Sequence, residues 1–150
     1  MSETVIRHPP DEIVLEMALE KQLVDRHDQS TKLDDKWPGF HNNWPDGEQM
    51  ILFKDTEGIA QDATMYGDHA DEFGISIMVR GIDETKTRIK INQLKDEFDK
   101  LTRYDVRLEG IKYRIHCLRR SGQVNFLGKE PGDYARYLFT VNYLTPIRRV

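Results

Sequence analysis

The densest group of potential metal ligands in the chain is Asp68-His69-Ala70-Asp71-Glu72. Donors that hold a metal must converge on one point, as in a twelve-residue calcium loop or at i and i+4 of a zinc-binding helix. This spacing fits neither pattern, and the segment reads as a solvated acidic loop. Asp55, Glu57 and Asp62 supply the carboxylates that a metal-dependent nuclease would need, but no second motif accompanies them. Cys117, the sole cysteine, would need a neighbouring base to act as a nucleophile. The adjacent His116 falls on the opposite face of an alternating strand, so Cys117 reads as a small buried hydrophobe beside Ile115. His41-Asn42-Asn43 lies between Trp37-Pro38 and Trp44-Pro45 and reads as a polar turn. The chain contains no nucleophile elbow, phosphate-binding loop or dinucleotide glycine triplet. The expectation is a protein that is not an enzyme, with no catalytic residue, cofactor or metal ligand.

What remains chemically is charge. The 150 residues carry 22 Lys+Arg against 26 Asp+Glu, a net charge of -4. Residues 1–75 hold 6 basic and 17 acidic side chains (a balance of -11), whereas residues 76–150 hold 16 basic and 9 acidic (+7). Such asymmetry points to a partner of opposite sign or to head-to-tail association between copies. Arg103 and Arg107, the pair Arg119-Arg120 and the pair Arg148-Arg149 are the basic groups that phosphates or an acidic protein surface would meet. Arg119-Arg120 falls in an expected turn, Arg148-Arg149 at the carboxyl end.

The elements that must carry these residues follow from periodicity. Pro9-Pro10-Asp11-Glu12 opens a helix, and the apolar spacing from Ile13 to Val24 predicts that it runs over about 11–27. A short β run, Gln49–Asp55, is closed by Thr56-Glu57-Gly58. Phe73, Ile75, Ile77 and Val79 alternate as a strand over 73–80. Thr87, Ile91, Leu94, Phe98 and Leu101 form a helical stripe that predicts a second helix at about 83–101. Beyond Arg103 the period is two, with a turn at Glu109-Gly110, alternation from Ile111 to Cys117, a short strand through Val124, Phe126 and Gly128, and a loop over Lys129–Asp133. A last strand over Tyr134–Tyr143 ends before Pro146. The class is α+β: a mostly antiparallel sheet with two main helices packed on one face. One domain spans 1–150, with 1–9 flexible. Its length suffices for a core, and 32% charged residues exceeds the ~25% of average proteins. No apolar run reaches the ~18–20 residues of a membrane span, the start lacks the apolar stretch of a secretory signal, and a lone cysteine suits a reducing cytoplasm.

In layout the chain resembles the tail terminator proteins of long-tailed bacteriophages, also called tail completion or minor capsid proteins. The likeness spans roughly residues 10–145. It is carried by the step Phe73-Gly-Ile-Ser-Ile-Met-Val-Arg-Gly81 into a helix ending Leu94–Leu101, by Leu108–Ile115, by Asn125-Phe-Leu-Gly-Lys-Glu130, and by the closing Tyr137-Leu-Phe-Thr-Val-Asn-Tyr143. Helices of that family often carry more alanine than Thr85–Leu101 does. The resemblance implies an α+β subunit of a hexameric ring, located in the virion tail after assembly in the host cytoplasm. Such a ring caps the tail tube, ends its growth and joins the tail to the head connector. Its partners would be other copies of itself, the tail tube protein and the connector protein. DNA would pass through the lumen without specific binding, and no membrane is involved. In that setting Arg103, Arg107, Arg119 and Arg120 are expected at subunit or tail-tube contacts, with acidic side chains outnumbering basic ones on the lumen. The competing readings are a neck or head-tail connector protein and a nucleic-acid-binding domain.

Overall fold

A computed structural model describes residues 7–26, 36–43, 49–59, 72–130 and 136–150. Its centre is a pair of long antiparallel strands, β3 (Glu72–Gly81) and β8 (Arg136–Arg149). Alternation in β3 buries Ile75, Ile77 and Val79 completely, as the spacing predicts. Register then builds rows across the sheet: Ile51, Val79 and Phe139 align, as do Phe53, Ile77 and Val141, while Ile75 faces Tyr143. The strand β2 (Met50–Ile59) flanks β3, and β1 (Gly39–His41) flanks β2 in a parallel pairing. On the other edge of β8 lie β5 (Ile111–Ile115), β6 (Arg119–Arg120) and β7 (Asn125–Glu130) in succession, with β4 (Tyr104–Leu108) outside β5. The helices α1 (Pro10–Glu20) and α2 (Glu84–Asp99) share one core with these rows. The fold is thus α+β with a mostly antiparallel sheet. Residues of the family resemblance fall at three structural steps: Val79-Arg80-Gly81 at the end of β3, Phe126-Leu127-Gly128 in β7, and Phe139–Tyr143 in the middle of β8.

Helix α1 is shorter than the expected 11–27. Gln22 takes a left-handed φ of 60°, its N–H donates to Leu19 O (3.1 Å), and Leu23 N–H donates to Ala18 O (2.9 Å). This paired closure ends a helix, and the apolar Leu23 and Val24 behind it reach the core as irregular chain. Periodicity sees their burial but not the reversal at Gln22. Helix α2 matches its expected span within two residues at each end, because Asp83 caps it by accepting from Lys86 N–H (3.0 Å).

Helix α1 lacks a side-chain cap of its own, since Pro9 occupies that position. Asp55 of β2 supplies the acceptor instead. Asp11 N–H donates to Asp55 Oδ1 (2.8 Å), and Asp55 N–H donates to Asp11 Oδ2 (3.3 Å). Burial, and next the Asp11 charge, push the Asp55 carboxyl above its ordinary value. A folded-state pKa raised above the unfolded one means that the ionised form opposes folding. The penalty sets in as pH rises past the unfolded carboxylate range and is complete above the folded value. Asp55→Asn keeps the acceptor and removes the charge, so it should match or exceed the parent's stability at pH 7. Asp55→Ala should lose about 1 kcal/mol. Urea denaturation at pH 7 checks both, and an Asn variant as unstable as the Ala variant would contradict this account.

Several strands depart from expectation for definable reasons. Strand β2 continues through Thr56-Glu57-Gly58, because Thr56 pairs with Gly74 and Ile59 with Glu72, and a register shift absorbs the step between them. The run Gly39–His41 is a strand and not only a turn. Its partner is the edge of β2, and Gly39 is required there because a Cβ would stand 2.3 Å from Val24 Cγ1 and 2.7 Å from Leu15 Cδ1. Arg119-Arg120 is a short strand on β8 and not a turn, and Lys129 and Glu130 extend β7 where a loop was expected. Strand β8 passes through Pro146 to Arg149. Pro146 stands opposite Glu72, where the β3 ladder ends, so its missing N–H interrupts nothing central, and its carbonyl accepts from His116 N–H (3.1 Å). Strand β5 stops at Ile115. Between Ile115 (opposite Ile147) and Arg119 (opposite Leu144) four residues advance against three. The extra residue exchanges faces, so Leu118 enters the core at 4% exposure and Cys117 remains half-buried.

Of the opening nine residues, the described part is held. Tyr113 Oη accepts from Arg7 N–H (3.3 Å) and His8 N–H (3.2 Å) and lies 2.6 Å from His8 Nδ1. Asp62, Trp44 and the Asp68–Asp71 stretch lie outside the described residues. Glu72 begins β3, His41 lies in β1 with Nδ1 3.5 Å from Asp11 Oδ1, and Asn42 takes a left-handed φ of 69° behind it.

Candidate interaction face

Strands β4 and β5 form a hairpin with Glu109-Gly110 at its turn, both residues at positive φ. Alternation sends Val106, Tyr113 and Ile115 into the core. It therefore sends Asp105, Arg107, Lys112 and Arg114 out of the other side. Register makes that side electrostatically unusual. Arg107 stands directly opposite Lys112, and Arg114 directly opposite Arg148 of β8. Like charges facing each other across strands are destabilising. Asp105 answers part of this. Its carboxylate accepts from Arg114 Nε (2.8 Å) and Nη2 (3.2 Å) and lies 3.4 Å from Lys112 Nζ. Arg103, Arg107 and Arg148 are exposed. Burial, and then the charges of Arg148, Arg114 and Arg103, hold the His116 imidazole below its usual value, so the ring is neutral at pH 7.

The Arg114 hydrogen bond chiefly depresses Asp105, whose carboxyl titrates at about 2. The sign follows: the interaction is present above the ordinary carboxylate range and is lost as pH falls through about 2. NMR titration of the Asp105 carboxyl carbon should give that low midpoint. Arg114→Gln should move it up towards the ordinary value, and so should high salt, because the pair is exposed. An unchanged midpoint in Arg114→Gln would remove Arg114 as the cause.

The four arginines expected at contacts are not one group. Arg103 and Arg107 belong to this face. Arg119 follows further along the same side of β8, opposite Leu144, and is ion-paired with the Glu72 carboxylate. Arg120, opposite Tyr143, turns to the helix side, where Nε lies 3.6 Å from Asp99 Oδ2. Asp99 Oδ1 also accepts from Tyr143 Oη (3.2 Å). Burial, and next the Asp99 charge, push the Tyr143 phenol above its usual value, so it stays a donor. Asp99 and Arg120 line an open groove of about 480 Å³ with Leu118, Gly122 and Gln123. Its two charges are already engaged with each other, and it contains no nucleophile paired with a base. Among the described residues no group of three or more His, Cys, Asp or Glu side chains is placed to hold a metal. No described helix is long and apolar enough to cross a membrane.

Lys112 and Arg114 fall within the basic run 103–120 that charge alone marks for contacts, and register adds Arg148 to the same face. The alternation of Lys112 and Arg114 with Ile111, Tyr113 and Ile115 was a visible signal. Arg148 was not placed beside them, because a strand ending before Pro146 leaves it in a tail. No family model matches the chain, and no curated protein matches it.

Proposed function

We propose that the chain is a structural virion protein, a tail terminator that assembles as a ring on the end of a phage tail tube. In that role it ends tube growth and offers the surface that joins the tail to the head connector. The layout resemblance supports the family. The observation that carries an interaction role is the outward β4–β5–β8 face, where Arg107 opposes Lys112 and Arg114 opposes Arg148. Such a surface is costly alone and is relieved by an anionic counterpart. On this reading the protein performs no reaction and needs no cofactor. Its partners are further copies in a ring, as a hexamer, the tail tube protein and the connector protein, and its place is the virion tail. DNA passes the lumen without specific contact, because a strongly basic lumen would hold phosphates.

Purified protein mixed with purified tail tubes tests this by negative-stain microscopy. One ring at a single end of each tube is expected, and decoration along the tube wall or no binding would refute it. The same arginines favour a second reading, a nucleic-acid-binding domain. Filter binding of duplex DNA across a salt series separates the two, since phosphate contacts produce tight retention at low salt that falls steeply as salt rises.

A further inference from the structure

We infer that the outward β4–β5–β8 face docks the acidic row of α1 in a second copy of this chain. The inference rests on the ring reading and names the two surfaces that meet. Helix α1 contains Asp11, Glu12, Glu16 and Glu20 and no Lys or Arg. Asp11 is buried against Asp55, whereas Glu12, Glu16 and Glu20 recur every four residues and share one side of the helix. Glu20 is exposed and Glu12 and Glu16 are half-buried. Like charges at i and i+4 weaken a helix, as like charges across strands weaken a sheet. Arg26 offsets Glu16 in this row (Nη2 to Oε1, 3.2 Å), as Asp105 offsets part of the basic face, and Glu12 and Glu20 flank that pair. The chain therefore carries two surfaces of opposite sign, each only partly compensated from within.

The fold places these surfaces back to back. The buried side of α1 shares the core with Val106, Tyr113 and Ile115, which alternate with the outward basic residues. The acidic row and the basic face accordingly lie on opposite sides of the same layer pair. Two different surfaces on opposite sides define a heterologous, head-to-tail contact, the kind that closes into a ring. The spacings also agree. Glutamates four residues apart on a helix advance about 6 Å. Residues two apart on a strand, such as Lys112 and Arg114, advance about 6.6 Å. One glutamate can thus meet each basic side chain along a strand.

A charge swap tests the contact. Glu12→Lys/Glu20→Lys makes both surfaces basic, and Arg107→Glu/Arg148→Glu makes both acidic. Sedimentation at low salt should show the parent associating and each double variant associating at least about tenfold more weakly. An equimolar mixture of the two variants should recover the parent's assembly, because alternating subunits restore both contacts. A parent that stays monomeric, a variant that assembles like the parent, or a mixture that fails to recover would each overturn the inference. So would binding of duplex DNA lost in Arg107→Gln/Arg148→Gln, which would assign the face to phosphates. Matching denaturation midpoints for all variants exclude misfolding as the cause of lost assembly. The ring reading fails separately, through tube ends that bind no protein. If rings still form on tubes from the double variants, the ring stands and this contact is wrong.

Discussion

Phe98→Ala is expected to destabilise the fold by about 3–5 kcal/mol. Phe98 is fully buried in α2 and meets two rings edge-on, Phe53 at 6.3 Å between centroids and Tyr143 at 5.9 Å. Those rings stand on β2 and β8, so Phe98 is the point where the helix bridges three adjacent strands of the sheet. Strands held in hydrogen-bonded register cannot close over the vacated volume, and the cavity cost adds to the lost burial. Phe98→Leu, which keeps most of the volume, should cost less than half as much. Urea denaturation followed by circular dichroism measures both. A loss below about 1 kcal/mol for the alanine variant would mean that this stripe does not pack on the sheet. The same substitution should loosen the adjacent Asp99, which fixes Tyr143 and Arg120.

Tyr113→Ala should cost a similar amount, about 3–5 kcal/mol, and should also disturb the interaction face. The ring is fully buried on the core side of β5, between Lys112 and Arg114 of the outward side. Packing of Tyr113 therefore seats β5, which carries the basic row, on the core, while the pairing of β5 with β8 sets the register. Its hydroxyl has a separate task, the anchoring of Arg7 and His8. Tyr113→Phe removes only that task and should cost about 1–2 kcal/mol, from partners left unpaired. Amide exchange should then speed up at Arg7 and His8 while β5 stays protected. Equal losses for the Phe and Ala variants would place the whole contribution in the hydroxyl and contradict the packing argument.

How far the sequence was readable depends on the range of the forces involved. The α2 stripe and the Phe73–Val79 alternation are local patterns repeated several times, and both elements lie where expected. The end of α1 was misjudged because Leu23 and Val24 continue the apolar pattern while one residue, Gln22, reverses the backbone. The short strand through Phe126 and Gly128 lies where expected, but β6 reads locally as a turn and the end of β7 as a loop, because their partner is β8, far along the chain, and the one-residue slip between Ile115 and Arg119 alters which side faces in. The interaction face suffered from the same limit. Charge alone marks the arginines and lysines of residues 103–120, whereas the opposition of Arg114 and Arg148 exists only through long-range register. Arg120, indistinguishable from Arg119 in sequence, is turned to the helix side by that register and held by Asp99.

The proposed ring that ends tail growth should leave its mark on the length distribution of tails assembled without this protein. Electron micrographs of such tails should show tubes longer than the parent's and variable in length, because nothing caps the growing end. Supplying the protein should restore a single length. Tails of normal, uniform length that merely fail to join heads would contradict the proposal and identify a neck or connector component instead.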